Sequence, residues 1–397
     1  MLEQDENIQE TKLRIKKYLE LENVSFLTGA GTSFHLGAPI IREIPEELKK
    51  KYSKTIQTYF SDKITPSYED LMNCLQADRF IKLKKGEPTT VIDATIHDMQ
   101  KWLFNNCNTE KTKIANEYKL DAKLQADRFH YHEAFIKKVL QRPNNLKRAN
   151  LFTTNYDMAF DCALDNLGVH YINGFMGVHN RCFRPEVYDY DFYYPGQSVT
   201  GKVHRAEKVI KYFKLHGSLS WVTTNQCPNN IYGIKEIPLN AESIINDESD
   251  PIKDDPVELL IYPCVSKKRF TLDLPYSELF RQFSQAITQS QSVLFCLGYS
   301  FNDEHINDII KQALSIPSFT LIVANYSPKV DKDSVLYKLK LMDDKRIIVL
   351  EENNKTLSTF TGFVENVLPD LYEEEENRVV AETMQKVYPK KDNNSSF

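Results

Sequence analysis

The sequence lacks the features that usually assign a protein quickly. It has no surplus of positive charge: 50 Lys and Arg face 55 Asp and Glu, for a formal net charge of −5. Nucleic-acid binders normally present a basic face, so direct nucleic-acid binding is not expected, and Lys82, Lys84 and Lys85 read as a solvated helix end. Long apolar runs are missing too. The N-terminus, MLEQDENIQETKLRIKK, is acidic and then amphipathic, without the apolar core of a signal peptide, and no stretch approaches membrane-spanning length. A cytoplasmic protein with no membrane partner is expected. Cysteine is sparse and unpatterned: the 7 residues Cys74, Cys107, Cys162, Cys182, Cys227, Cys264 and Cys296 never form C-x-x-C or stand beside a His at finger spacing. They read as reduced, mostly buried thiols, with no disulfide framework, no zinc site and no metal expected.

What is present is a globular composition, with 41% hydrophobic and 11% aromatic residues in 397, enough for one large domain with insertions or for two domains. Short β-forming apolar runs recur at Val24 to Thr28, Ala149 to Thr153, Lys211 to Leu215, Leu259 to Pro263, Val293 to Gly298, Thr320 to Ala324 and Arg346 to Leu350. Near-continuous apolar strands with long connections predict a parallel sheet covered on both faces, a Rossmann-like α/β fold. The gap between the first two runs is far longer than one crossover helix needs, so a helical module is expected in about residues 44–147. There Tyr68, Leu71, Met72 and Leu75 repeat at helical spacing, as do Ile92, Ile96, Met99 and Leu103, and again His132, Phe135, Ile136, Val139 and Leu140. These predict three amphipathic helices over the sheet's ligand edge. LQADRF occurs at Leu75 to Phe80 and again at Leu124 to Phe129, but no longer period supports a repeat. Residues 173–204 and 223–256 read as long loops or hairpins near a site. Residues 1–370 are expected to form one domain, and 371–397 a last helix and polar tail.

In an open parallel sheet, ligands bind beyond the carboxyl ends of the strands. Small and polar residues gather at those ends here. Gly29-Ala30-Gly31-Thr32-Ser33 follows the first strand, Thr153-Thr154-Asn155-Tyr156-Asp157 the second and His216-Gly217-Ser218 the third. Gly298-Tyr299-Ser300-Phe301-Asn302-Asp303 follows the fifth, and the sixth ends in Asn325. Each has an ordinary alternative: the glycines a tight turn with no ligand, Thr153 or Thr154 a helix cap, Asp157 a first-turn acid, His216 a turn histidine, Gly298 and Asp303 turn and cap chemistry. All of those alternatives would have to hold at once.

Taken in order, GAGTSFHLGAP, TTNYD, KLHGS, GYSFND and the strand-end Asn325 resemble the motif set of the sirtuin-like NAD-binding domain. The resemblance implies NAD, as substrate, lying extended across the strand ends of a Rossmann-like sheet with a smaller helical module. Gly29, Ala30, Gly31 and Ser33 would face the pyrophosphate, Asn155 and Asp157 the nicotinamide ribose, and Gly298, Ser300 and Asn325 the adenosine half, with Thr32 and Arg42 also binding the cofactor. His216 would occupy the catalytic base position. Two departures separate the chain from deacylase sirtuins. The four-cysteine zinc module is missing, and the G-x-P-D-F-R segment appears as Gly37-Ala38-Pro39-Ile40-Ile41-Arg42, keeping the Arg without the Asp and Phe. The pattern is more similar to the bacterial antiphage-defence branch, which includes Thoeris-type and Argonaute- or ATPase-associated effectors that hydrolyse NAD. That implies a homo-oligomer or a partner such as a HerA-type ATPase. Acyl or ADP-ribosyl transfer to a protein, and a silent nucleotide sensor that scaffolds a partner, are the competing readings.

Overall fold

Strands that are apolar on both faces must be covered on both faces, and this requirement sets the architecture. The computed structural model describes residues 2–38, 43–61, 66–107, 128–196, 203–223, 231–237, 274–327, 332–350 and 353–372. Its central sheet comprises β1 (Asn23–Thr28), β2 (Asn150–Thr153), β3 (His170–Ile172), β4 (Val209–Lys214), β5 (Ser292–Leu297), β6 (Thr320–Ala324) and β7 (Ile347–Val349). Their order is β7-β6-β5-β1-β2-β4-β3, and every pairing is parallel. The chain leaves β1 toward β2 on one side and later returns to β5 on the other. That reversal at β1 is the switch point where open α/β sheets form a crevice.

Alternate residues enter opposite cores. Leu27, Phe152, Phe213 and Cys296 pack with α6 (Tyr276–Ile287) and α7 (Glu304–Leu314). Phe26, Leu151, Tyr212 and Phe295 pack on the other face with α1 (Leu2–Leu19), α4 (His130–Val139) and α5 (Ala159–Leu167). A third core lies apart from both faces. There α2 (Tyr68–Lys85), opened by a Ser67–Asp70 capping box, and α3 (Thr90–Cys107) bring Leu71, Met72 and Leu75 against Ile96, Met99 and Leu103. Tyr156 and Leu219, from the loops after β2 and β4, complete this core, so the module rests on those loops.

The described residues differ from the sequence expectation in three places. The helix expected around Phe135 does not join the module: Phe135 meets Phe26 edge-on at 5.1 Å on the sheet face, since an apolar stripe specifies burial but not its partner. β3 carries no continuous apolar run and is an unexpected edge strand. The segments expected as loops or hairpins do carry antiparallel strands, in a small sheet of Phe175–Met176, Arg181–Phe183, Ile234–Glu236 and Trp221–Thr223. Cys182 is disulfide-bonded, whereas Cys74, Cys107 and Cys296 are free thiols; a bond closed by tertiary folding leaves no mark in local spacing. The expected strand at Leu259 to Pro263, Cys227, Cys264 and most of the second LQADRF lie outside the described residues, as does the tail beyond Tyr372. Among the described residues no helix is long and apolar enough to cross a membrane.

The turn after β1 is clamped through His35, whose ring stacks on fully buried His132 of α4 at 5.2 Å, under Phe360. No described residue offers a hydrogen bond to the ring nitrogens of either; the Thr32 backbone near His35 does not meet bonding geometry. Burial therefore lowers the His35 imidazole from 6.5 to about 4, and holds His132 well below its ordinary range. Between those values the unfolded chain takes up protons that the folded chain refuses. Stability is thus complete above about pH 6.5 and declines as pH falls toward 4, His35 alone contributing up to about 3 kcal/mol. Melting temperatures at pH 7.5 and 5.0 should fall less for His35→Phe and His132→Phe than for the wild type; equal falls would contradict the assignment.

Candidate functional site

The glycines after β1 lie against other backbone. A Cβ on Gly31 would stand 2.7 Å from Gly298 Cα, and one on Gly29 would stand 2.8 Å from Gly298 O. Gly298, at φ 59°, is in the left-handed region, and its own Cβ would meet Gly31 C and Thr32 N at 2.7 Å. The hydrogen bonds of the sheet continue through this contact: Gly31 N–H donates to Gly298 O (3.0 Å), Gly29 N–H to Leu297 O (3.1 Å) and Gly298 N–H to Ala324 O (2.9 Å). The Thr32 and Ser33 amides are used within the turn, by Gly29 O and Ala30 O. Ala30 stands exposed at its crest.

Asn155 is buried at the end of β2. Its Nδ2 donates to Thr32 Oγ1 and Ser33 Oγ, both at 3.1 Å, which leaves Oδ1 uncommitted among the described residues. The Ser33 hydroxyl also lies near the Asp157 carboxylate. Asp157 Oδ1 also accepts the Ala159 amide at 3.0 Å, so the residue caps α5 as well. Burial pushes the Asp157 carboxyl above its usual range, opposed by Lys214, the Ala159 amide and Ser33.

Lys214, the last residue of β4, is buried and donates to Asp157 O. It pairs with Asp161 Oδ2 at 2.9 Å, which also accepts Tyr212 OH at 2.9 Å. Two residues on, His216 is buried between the rings of Tyr156 (6.3 Å) and Phe280 (6.2 Å). Its Nε2 lies 2.9 Å from Asp303 Oδ2, within ion-pairing distance but off the line of a hydrogen bond. Nε2 is fully enclosed, whereas Nδ1 is not, and Nδ1 has no partner among the described residues.

The folded chain thus joins Gly29, Gly31, Thr32, Ser33, Asn155 and Gly298 through direct contacts, with Asp157 close to Ser33. Ser300 is exposed and Asn325 half-buried beside the Gly298 loop; Arg42 lies outside the described residues. Sequence reading passed over Lys214, Asp161 and Asp303. Lys214 stood inside the quoted KLHGS, and Asp303 inside GYSFND, where its capping role hid its second oxygen.

The geometry can now be set beside known proteins. Residues 149–341 match the model of the SIR2-like domain family. The matched region holds β2 to β6 with Asn155, Asp157, Lys214, His216, Gly298, Asp303 and Asn325, while the glycine turn after β1 precedes it. A solved structure titled "The Structural basis of Sirtuin Substrate Affinity" is similar at 15% identity and a TM-score of 0.39, with 89% of this chain and 97% of that chain covered. A second, of a Sir2 homolog–NAD complex, is similar at 15% identity and a TM-score of 0.37, with 90% and 94% covered. No curated protein matches this chain in sequence.

The contact between the two glycine loops is open to test. Gly168 has φ 60° and nothing within 4 Å of its would-be Cβ, whereas Gly298 has φ 59° and backbone at 2.7 Å. Gly168→Ala therefore measures conformational strain alone, about 1 kcal/mol. Gly298→Ala adds the clash and should cost at least about twice as much, read as the larger fall in melting temperature. Equal losses would mean that the two loops part without cost.

Proposed function

We propose that this chain is an NAD glycohydrolase, cleaving the nicotinamide–ribose bond to release nicotinamide and ADP-ribose. The observation that carries the reading is Asn155, anchored on Thr32 and Ser33 at the sheet's switch point, beside a buried His216. Cleavage builds oxocarbenium character on the ribose while the nicotinamide leaves neutral from a cationic ring, so the protein needs chiefly to hold water and stabilise charge. Asn155 suits that task. Its amide nitrogen is anchored, and its Oδ1 is left to accept from a ribose hydroxyl or the attacking water without adding net charge. His216 would take the proton that water loses as its oxygen bonds to the ribose carbon. Asp157, held by the Ala159 amide with Ser33 nearby, orients these groups and does not act as nucleophile.

Protein deacylation or ADP-ribosyl transfer could use the same pocket, and a non-hydrolytic nucleotide sensor would need only its binding half. Hydrolysis is favoured because the deacylase cysteine module and the Asp and Phe of G-x-P-D-F-R are missing from the sequence. The proposal extends to NAD depletion in antiphage defence, by a homo-oligomer or with a HerA-type ATPase, and light scattering with co-purification tests that extension. A strict monomer fully active alone would reject the assembly. For the chemistry, nicotinamide release, NAD affinity and melting should be compared for wild type, Asn155→Ala and His216→Ala. Loss of His216 should cost roughly 100-fold to 10,000-fold in rate, and loss of Asn155 should reduce kcat more than affinity. Near-normal turnover in either variant would reject the mechanism.

A further inference from the structure

Asp303 does two things with one carboxylate. Oδ1 accepts the amides of His305 (3.1 Å) and Ile306 (3.4 Å), capping α7, while Oδ2 lies against His216 Nε2. A cap needs only one oxygen, which Ser or Thr supplies as well, so capping does not account for the oxygen turned to the histidine. The loop that delivers it is held from several sides. Asn307 Nδ2 donates to Phe301 O at 2.7 Å, Tyr299 OH donates to Asp303 O at 3.3 Å, and Phe301 keeps φ 59° although it is not glycine. Such a conformation persists where the surroundings over-determine it.

From this geometry we infer that Asp303 is the positioning residue of His216, holding the imidazole with its proton on Nε2 and its lone pair on Nδ1. A neutral imidazole carries one N–H, so a carboxylate facing Nε2 selects that tautomer. Nε2 is enclosed against Asp303, so a proton arriving from water must arrive at Nδ1. The off-line angle is no obstacle, because catalytic hydrogen bonds commonly align only once substrate is bound. The inference rests on the hydrolytic reading for its effect on rate, but not for the tautomer itself.

Asp303→Asn separates the two duties. The amide oxygen must stay with the two helix amides, so its NH2 group turns to Nε2 and drives the histidine proton onto Nδ1, removing the acceptor. Because Asn caps as well as Asp, the melting temperature should hold, while kcat should fall roughly 100-fold or more with KM little changed. Side-chain 15N spectra should show His216 as the Nε2–H tautomer in the wild type and as Nδ1–H in Asp303→Asn. Asp303→Ser, which caps but offers nothing to the ring, should lie between the two in rate. If Asp303→Asn keeps its kcat, or lowers the melting temperature with the His216 tautomer unchanged, Asp303 is a cap only and the inference is overturned. Wild-type protein inert toward NAD would sink the hydrolytic reading instead, and the tautomer spectra would still decide for or against Asp303.

Discussion

The rest of the site depends on the contact of two bare backbones, Gly31 against Gly298. Side chains at either position would hold the loops after β1 and β5 apart by more than the 3.0 Å hydrogen bond between them permits. Because the loops close, the hydrogen bonding of the sheet runs past the strand ends, with Thr154 N–H reaching Thr28 O (3.0 Å) and Leu215 N–H reaching Thr153 O (2.8 Å). Thr32 and Ser33 are then presented to β2 at a fixed height. Asn155 finds its partners there, and not in solvent. The glycines serve the ligand edge first by setting its spacing.

The same edge carries charge out of water, which a sheet so apolar would otherwise resist. A buried lysine or carboxylate alone is strongly disfavoured, and removing one partner of a buried pair commonly costs about 3 to 5 kcal/mol. Lys214 meets this constraint by serving two residues of the segment after β2, the Asp157 carbonyl and the Asp161 carboxylate, with Tyr212 filling a second site on Asp161. The ion pair therefore ties the end of β4 to the start of α5. His216 follows two residues later, on backbone whose position Lys214 has already fixed. Asp303 meets it from the far side, across the helical face of α6.

Much of this was legible in the sequence, for physical reasons that also explain what was not. Strands such as Val293 to Leu297 are buried on both faces and read as continuous apolar runs, and the small residues after them mark where backbone comes close. Short edge strands carry no such signal, and His170 to Ile172 went unseen. Helical periodicity found Phe135 and Met72 alike, but could not tell that one faces the sheet and the other a separate core. The site's anchors were visible as residue types; the pairings among them were not, because Asn155 meets Ser33 from far along the chain. Asp303 was hidden by a different cause: a residue with one sufficient local explanation gives no sign of a second. Cys182 shows the same limit, since its bond is a product of the fold.

The helical module adds the last constraint. Its core is closed by Tyr156, which stands between Asn155 and Asp157, and by Leu219, three residues beyond His216. Cys107, at the end of α3, lies close enough to Asp157 for the carboxylate to help raise its thiol, burial being the larger cause. The module therefore packs on the same short segments that carry the polar groups. Close-packed cores rearrange between discrete states and do not stretch, so a shift of α2 and α3 would move Tyr156, and Tyr156 cannot move without its neighbour Asn155. The insertion is thus more than a cover. Its packing is one of the forces that hold the amide and the imidazole in register.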